Sequence, residues 1–412
     1  MKTMPSPIRS AAPVKTPVPA VAAIDSKLPA PALWGGCRLD VKESERDSFA
    51  EYHVTAAIEN DSGSVDELLG QVAAVLARRK IQPIQEKFYG RSAVRADVLR
   101  RRADAYRRHG LDADVPVTWI EGIPLTGGPF AGVQVWGVAP RNGETCVWTV
   151  DNPATGRARL WTGRGFRMLH LPAVRGTLPD GSLPAGPTAQ AQQMFTNVGL
   201  GLDAHGMAYP DVVRTWIYVS RLLEWYGELN RVCTAHYARV GLGIKDGAAF
   251  PASTGIQGRM TDEECLIDVL ALESDGPAAA AAEPIRCSPR QDQSFNYGSA
   301  FSRGMTFAIE GRKTVHISGT ASINPAGAST HLGDAECQSL ETLMSIAAIL
   351  EAQGGSLHNL TSATLFCKDR AAWEAWNRVM RLLQVPVFPK ICLLADVCRD
   401  DLLVEMESVA VI

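Results

Sequence analysis

The sequence predicts an α+β fold in which one unit, of order ββαβαββ, is used repeatedly. Three observations carry that expectation. The last third of the chain repeats the middle third. With Gln190 set over Gln338, QAQQMFTNVGLGLDAHGMAYPDVVRTWIYVS and QSLETLMSIAAILEAQGGSLHNLTSATLFCK run in step without a gap. Leu202 then falls on Leu350, Gly206 on Gly354 and Val212 on Leu360. The match resumes, with small shifts, at Asn230-Arg231-Val232 over Asn377-Arg378-Val379 and at Phe250-Pro251 over Phe388-Pro389. In each copy, β-branched runs are interleaved with two runs of helical apolar spacing, the pattern of a sheet with both helices on one face. Finally, 412 residues at 46% hydrophobic and 21% charged can bury more than one core. So long a period excludes a solenoid and points to duplicated domains.

Taken in order, residues 1–33 are rich in Pro, Ala and Ser and are expected to be a disordered tail. Residues 34–150 read as a degenerate copy, with strands at 52–59 and 86–89, helices at 65–79 and 96–109, and closing strands at 116–121 and 131–138. Residues 151–275 form the middle copy, whose plan runs from about 166 to 272. Asp275-Gly276-Pro277 and the alanines after it read as a linker over 276–290.

The last copy, 291–412, opens with β-branched residues 313–323, which end at Asn324-Pro325. A helix over 335–353 places Leu340, Leu343, Ile346, Ala347 and Leu350 on one face and stops at Gly354-Gly355. A strand at 360–367 and a helix over 371–383 follow, the helix carrying Trp373, Trp376, Val379, Met380 and Leu383 on its apolar side. Two strands, 391–397 and 402–411, are joined by the turn Arg399-Asp400-Asp401. The endings align as CLIDVLAL (265–272) over LLVEMESV (402–409), which sets Asp268 over Glu405.

Composition excludes several function classes. A formal net charge of −3 gives no overall attraction to nucleic acid. The arginines at 100–102 and 107–108 share a helix with acids and read as a solvated face. The 9 cysteines show no paired framework, which suits a reducing, cytoplasmic setting. No apolar run reaches the ~18 residues that span a bilayer. GLGLDAHG (199–206) aligns with a helix end, so it is not a dinucleotide loop. Cys392 and Cys398 lack zinc spacing, and His236 and His316 have no ligand-spaced neighbour. No metal and no cofactor are expected.

The last copy resembles the YjgF/RidA family, through ISG on an early strand and VEME at its end. Members of that family have a chorismate-mutase-like fold and form trimers with small-molecule sites in the clefts between subunits. Fused copies would then build a pseudo-trimer within one chain. Over about 115–412 the chain is similar to the chorismatases, through VVRTWIYV, WYGELNR, FPASTGI, AFSRG, ISGTASI and ADVCRDDLLVEME. The resemblance implies cleavage of chorismate to pyruvate and a hydroxybenzoate, and a monomer or loose dimer.

Chemistry narrows the candidates. Chorismate carries two carboxylates, which call for cations, preferably forked guanidinium groups. Arg303, Arg214, Arg231 and Lys390 are the candidates, with Ser253 and Thr254 as hydrogen-bond donors. Cleaving a vinyl ether needs an acid that protonates the enol carbon. Glu405, between Val404 and Met406, suits that role if burial raises its pKa. The resemblance implies that Cys398 lines the pocket, and that Cys398 with Gly304 marks the subgroup making 3-hydroxybenzoate. Lys390 stands where typical YjgF proteins keep an arginine, which disfavours a plain enamine or imine deaminase. A non-catalytic metabolite-binding protein is the other alternative.

Overall fold

The computed structural model describes residues 32–126, 128–243, 249–259, 263–275 and 279–412. It contains three sheets, each with two helices. The first unit comprises β1 (Ala32–Trp34), β2 (Cys37–Glu45), β3 (Phe49–Ile58), α1 (Val65–Arg79), β4 (Gln82–Gly90), α2 (Arg95–Arg108), β5 (Thr118–Glu121), β6 (Ile123–Pro124) and β7 (Phe130–Pro140). The second has β8 (Cys146–Asn152), β9 (Gly156–Gly163), β10 (Phe166–Arg175), α3 (Pro187–Asp203), β11 (Val212–Val219), α4 (Leu222–Arg239), β12 (Ala252–Gln257) and β13 (Cys265–Ser274). The third has β14 (Ala279–Ile285), β15 (Gly304–Ile309), β16 (Arg312–Ala321), α5 (Ala335–Ala352), β17 (Leu360–Cys367), α6 (Arg370–Leu382), β18 (Lys390–Leu394) and β19 (Val404–Val411). The ββαβαββ plan therefore occurs three times.

The helices begin where the side chains satisfy their first amides. Ser64 Oγ accepts from the Glu67 amide at 3.4 Å, Asp334 from Cys337 at 3.0 Å and Asp369 from Ala372 at 2.7 Å. Pro187 opens α3, where a missing N–H costs nothing. Each helix pair covers one face of its sheet and closes a separate apolar core. The opposite faces of all three sheets meet in a fourth core, built from residues such as Ile84, Trp136, Trp216, Leu270, Met305 and Phe366. That central core makes the chain a pseudo-trimer.

Strand order is the same in each unit: β2-β3-β7-β4-β5, β9-β10-β13-β11-β12 and β15-β16-β19-β17-β18. The last strand of each unit thus lies in mid-sheet, and the fourth pairs in parallel with an edge strand. Each unit's parallel edge strand packs on the next unit around the ring. Thr118 Oγ1 of β5 donates to Asp268 at 2.7 Å. The Ser253 amide of β12 donates to Ser318 Oγ at 2.9 Å. Leu393 of β18 pairs with Pro124 of β6.

Several expectations change. The strands expected at 391–397 and 402–411 are not neighbours, because β17 lies between them. The hairpin of β8 and β9 lies before the expected start at 166: β9 is the first strand of the middle plan, and β8 adds an edge strand. Ala279–Ile285, read as linker, forms β14 and pairs with β15, so the connection adds an edge strand. Residues 1–31 of the expected tail lie outside the described residues, and its last two, Ala32 and Leu33, belong to β1. The counterpart of Glu405 also changes. Asp268 stands opposite Trp216 on β11, and Glu407 stands opposite Thr364 at the matching rung of β17. Glu405 corresponds to Leu266, which pairs with Tyr218 as Glu405 does with Phe366.

Candidate active site

Where β12 of the second unit packs on β16 of the third, the two sheets leave a cleft of about 540 Å³. Its lining includes Tyr226, Asn230, Ser253, Thr254, Gly319, Cys398 and Glu405. Glu405 projects from β19 on the face opposite Val404 and Met406, which are packed under the helices. Its carboxyl group occupies the space over Gly319, where an added Cβ would lie 2.1 Å from Glu405 Oε1. A side chain at 319 would expel the carboxyl group, so glycine there makes room for the acid.

Behind Gly319 runs a chain of hydrogen bonds. The Gly319 amide donates to Thr254 Oγ1 at 3.0 Å. Arg214 Nη2 donates to the same oxygen at 2.6 Å and to Glu407 Oε2 at 2.8 Å. Thr215 Oγ1 donates to Ser253 Oγ at 2.8 Å. The cleft wall is therefore fixed by bonds that cross between units.

Electrostatics separate the two carboxyl groups of β19. Burial, reinforced by the charge of Glu407, raises Glu405 to about 8, against the smaller opposing pull of Arg214 and Arg399. A group so raised keeps its proton at neutral pH and is able to donate it. Burial, and then Glu405, push the Cys398 thiol up to about 12. An un-ionised thiol is a poor nucleophile, so Cys398 acts as a wall of the cleft. Burial also keeps the Tyr226 phenol neutral.

Of the residues singled out by sequence, Glu405, Cys398, Ser253 and Thr254 converge on this cleft. Arg303 lies beside it, buried. Its Nε and Nη2 donate to the Asp292 carbonyl at 3.0 and 2.8 Å, and its guanidinium lies over Tyr297 and over Phe301, which lines the cleft. Arg214 stands behind the wall, held by Thr254 and Glu407.

Three residues are placed elsewhere. Arg231 is exposed and pairs with Glu228, because Tyr226, Leu229, Asn230 and Cys233 take the inward face of α4 and 231 points away. Lys390 belongs to another junction: the edge-strand rule carries β18 toward the first unit, and its ammonium lies 5.3 Å from the Phe388 ring centroid. At Gly304 an added Cβ would meet the His316 carbonyl and Ile285, so this glycine serves the β14–β15–β16 packing.

Gly319, Tyr226, Asn230 and Arg399 were not singled out from sequence. Tyr226 and Asn230 stand four apart within WYGELNR, a spacing that signals one helix face. Arg399, read as part of a turn, sits 5.8 Å over the Tyr297 ring and acts on Glu405.

The fold and cleft define a fused RidA-like protein whose second and third units enclose the buried acid Glu405. Residues 299–412 match the family model described as endoribonuclease L-PSP. The 3-aminoacrylate deaminase RutC of Acinetobacter baylyi is 31% identical over 108 residues, which cover 25% of this chain and 82% of that protein. The chain belongs to this family, the L-PSP or YjgF/RidA family, through its C-terminal domain. A crystal structure of a chorismatase is 18% identical and covers 89% of this chain and 100% of its own, with a TM-score of 0.56. That likeness is one of fold. No helix among the described residues is long and apolar enough to cross a membrane.

Proposed function

We propose that the chain is a chorismatase, cleaving chorismate to pyruvate and 3-hydroxybenzoate. The observation that carries this reading is the placement of Glu405, buried in an inter-unit cleft against Gly319 and Cys398. Glu405 delivers its proton to the methylene carbon of the enolpyruvyl group, leaving an oxocarbenium ion at the ether carbon. The proton ends in the methyl group of pyruvate. The substrate's own ring hydroxyl attacks the neighbouring ring carbon as the bond from that carbon to the ether oxygen breaks. The ether oxygen leaves as the keto oxygen of pyruvate, the hydroxyl proton returns to the Glu405 carboxylate, and the arene oxide so formed opens to the hydroxybenzoate. Pyruvate and 3-hydroxybenzoate together contain the atoms of chorismate, so no water is consumed. A dihydroxylated diene would need one. The apolar wall of Cys398, Ile217 and Leu229 supports the water-free route. Arg303 and Arg399 supply cations for the carboxylates, with Asn230 and Thr254 as hydrogen-bonding groups.

A deaminase acting on an enamine is the second reading, favoured by the identity with RutC. It is weakened by the separation of Lys390 from Glu405. The test is incubation of the purified chain with chorismate, with aromatic products separated by chromatography and pyruvate assayed by coupling. Pyruvate with 3-hydroxybenzoate is expected, and Glu405→Gln should lower turnover by about 10²–10⁴-fold with an unchanged circular dichroism spectrum. Pyruvate with a diene would replace the water-free route, and absence of pyruvate would discard the chorismatase reading.

A further inference from the structure

On the pseudo-threefold axis, where the inner faces of the three sheets meet, lies a second cavity lined by residues of all three units. The register of the ladders places a histidine at the same rung of all three units. His53 stands opposite Trp136, His170 opposite Leu270 and His316 opposite Val409. Across the same rung, the next strand carries Gln85, Arg214 and Ser362. A polar ring thus interrupts a face that is otherwise the central apolar core.

Such a ring is costly unless its groups find partners. Here donors exceed acceptors. The Lys87 ammonium lies 3.6 Å from the centroid of the Trp216 ring, and its nearest approach to Glu407 is 4.0 Å, too long for a hydrogen bond. Arg214 commits Nη2 to Thr254 and Glu407, while its buried Nη1 has no partner. Neither ring nitrogen of His316 has one. These three side chains are 4%, 2% and 3% exposed, so bulk water does not satisfy them. Asp268 does not line the cavity: its Oδ1 accepts from Thr118 and the Ala173 amide, and its Oδ2 faces His170 Nε2 at 3.7 Å. Gln134 and Ser362 are half-buried at the edge of the cavity and give access to it.

We propose that this axial cavity is a binding site for a small aliphatic carboxylate, separate from the Glu405 cleft. Lys87, Arg214 Nη1 and the His316 N–H donate to the carboxylate, and the carbon skeleton lies against Trp136 and Trp216. The ring-shaped arrangement of donors suits an acceptor-only group with several lone pairs. The chemistry of the cleft is not repeated here, since the cavity's carboxylate, Glu407, is tied to Arg214.

The test is calorimetric titration of the full chain with succinate at low ionic strength. Saturable binding is expected in the wild type, weakened at least about tenfold in Lys87→Met and unchanged in Glu405→Gln. Succinate binding that Lys87→Met leaves intact, or that Glu405→Gln removes, would overturn the proposal. So would the absence of saturable heat up to about 10 mM. If Lys87→Met does not fold, Ser362→Trp, which fills the cavity from its edge, takes its place and must abolish the heat. Unchanged binding in that variant overturns the proposal equally.

Discussion

The Glu405 carboxyl group fills the space over Gly319, beside the Thr254 methyl group. Burial raises this group from 4.5 to about 8, and the sign of its effect on stability follows. The unfolded state releases the proton above about 4.5, whereas the folded state keeps it until about 8. The contribution of Glu405 to stability is therefore complete below pH 4.5 and is lost as pH rises through 8. Glu405→Gln carries no titrating group, so its melting temperature should gain on that of the wild type between pH 5 and pH 9. In the same window, kcat/KM for chorismate should hold to about pH 7 and fall about tenfold per unit above about 8, since it reports the free enzyme's acid. A profile flat to alkaline pH would remove Glu405 from the role of proton donor. Sequence indicated the acid through the resemblance that VEME carries and through its place between Val404 and Met406 on the terminal strand. The glycine that faces the acid, Gly319, was not indicated, for a physical reason. The ladder between β16 and β19 shifts register between Ile317 and Thr320, and a bulge changes which face a residue meets without any signature in composition. Arg231 is placed elsewhere for a simpler reason: it stands on the outward side of α4, a phase that the motif WYGELNR does not mark by itself.

At the level of elements, α1 and α2 show how far patterning reaches. The expected helix over 65–79 has the observed bounds, with a cap at Ser64 and an αL residue at Lys80. The arginines of α2 were read as one solvated face. Arg100 and Arg107 are indeed exposed, and Arg101 half-buried, as partners of Asp97 and Asp104. Arg102 is not. It turns inward to the buried Glu86 of β4, with Nε–Oε2 at 2.7 Å and Nη2–Oε1 at 2.9 Å, while the Tyr106 hydroxyl donates to the same carboxylate. Both arginine types look alike in sequence, and only the 3.6-residue phase separates them. Arg102→Ala would strand Glu86 in the core and should cost about 3–5 kcal/mol, read as a lowered midpoint in urea. Arg100→Ala should change the midpoint by less than about 1 kcal/mol. An equal effect of the two would contradict the buried pair. Strand pairing was less legible than helices: the sequence order of β18 and β19 suggests a hairpin, whereas β19 enters the middle of the sheet. The overlay of Asp268 on Glu405 failed similarly, because apolar alternation repeats every two residues and tolerates a slip of two.

For the whole molecule, the governing rule is that each unit's edge strand docks on the next unit. It explains why Lys390 and Glu405, fifteen residues apart in one unit, serve different junctions, and why the acid's neighbours Ser253, Thr254 and Tyr226 come from the preceding unit. The repeat made the three units legible, but this exchange around the ring is a property of their packing and is absent from any one copy. It also limits assembly. The faces that meet in the central core, including Met305, Phe307, Phe366 and Leu393 of the third unit, are covered within the chain. The intact chain is expected to run in light-scattering chromatography as one copy of 44.4 kDa. Residues 279–412 expressed alone would keep Glu405 and Cys398 but lose α4 and β12, and would expose those apolar residues to water. That fragment should self-associate and give no turnover, because the wall that confines the acid is missing. A monomeric, active fragment would show that the cleft needs no second unit, and the pseudo-trimeric account of the site would then fall.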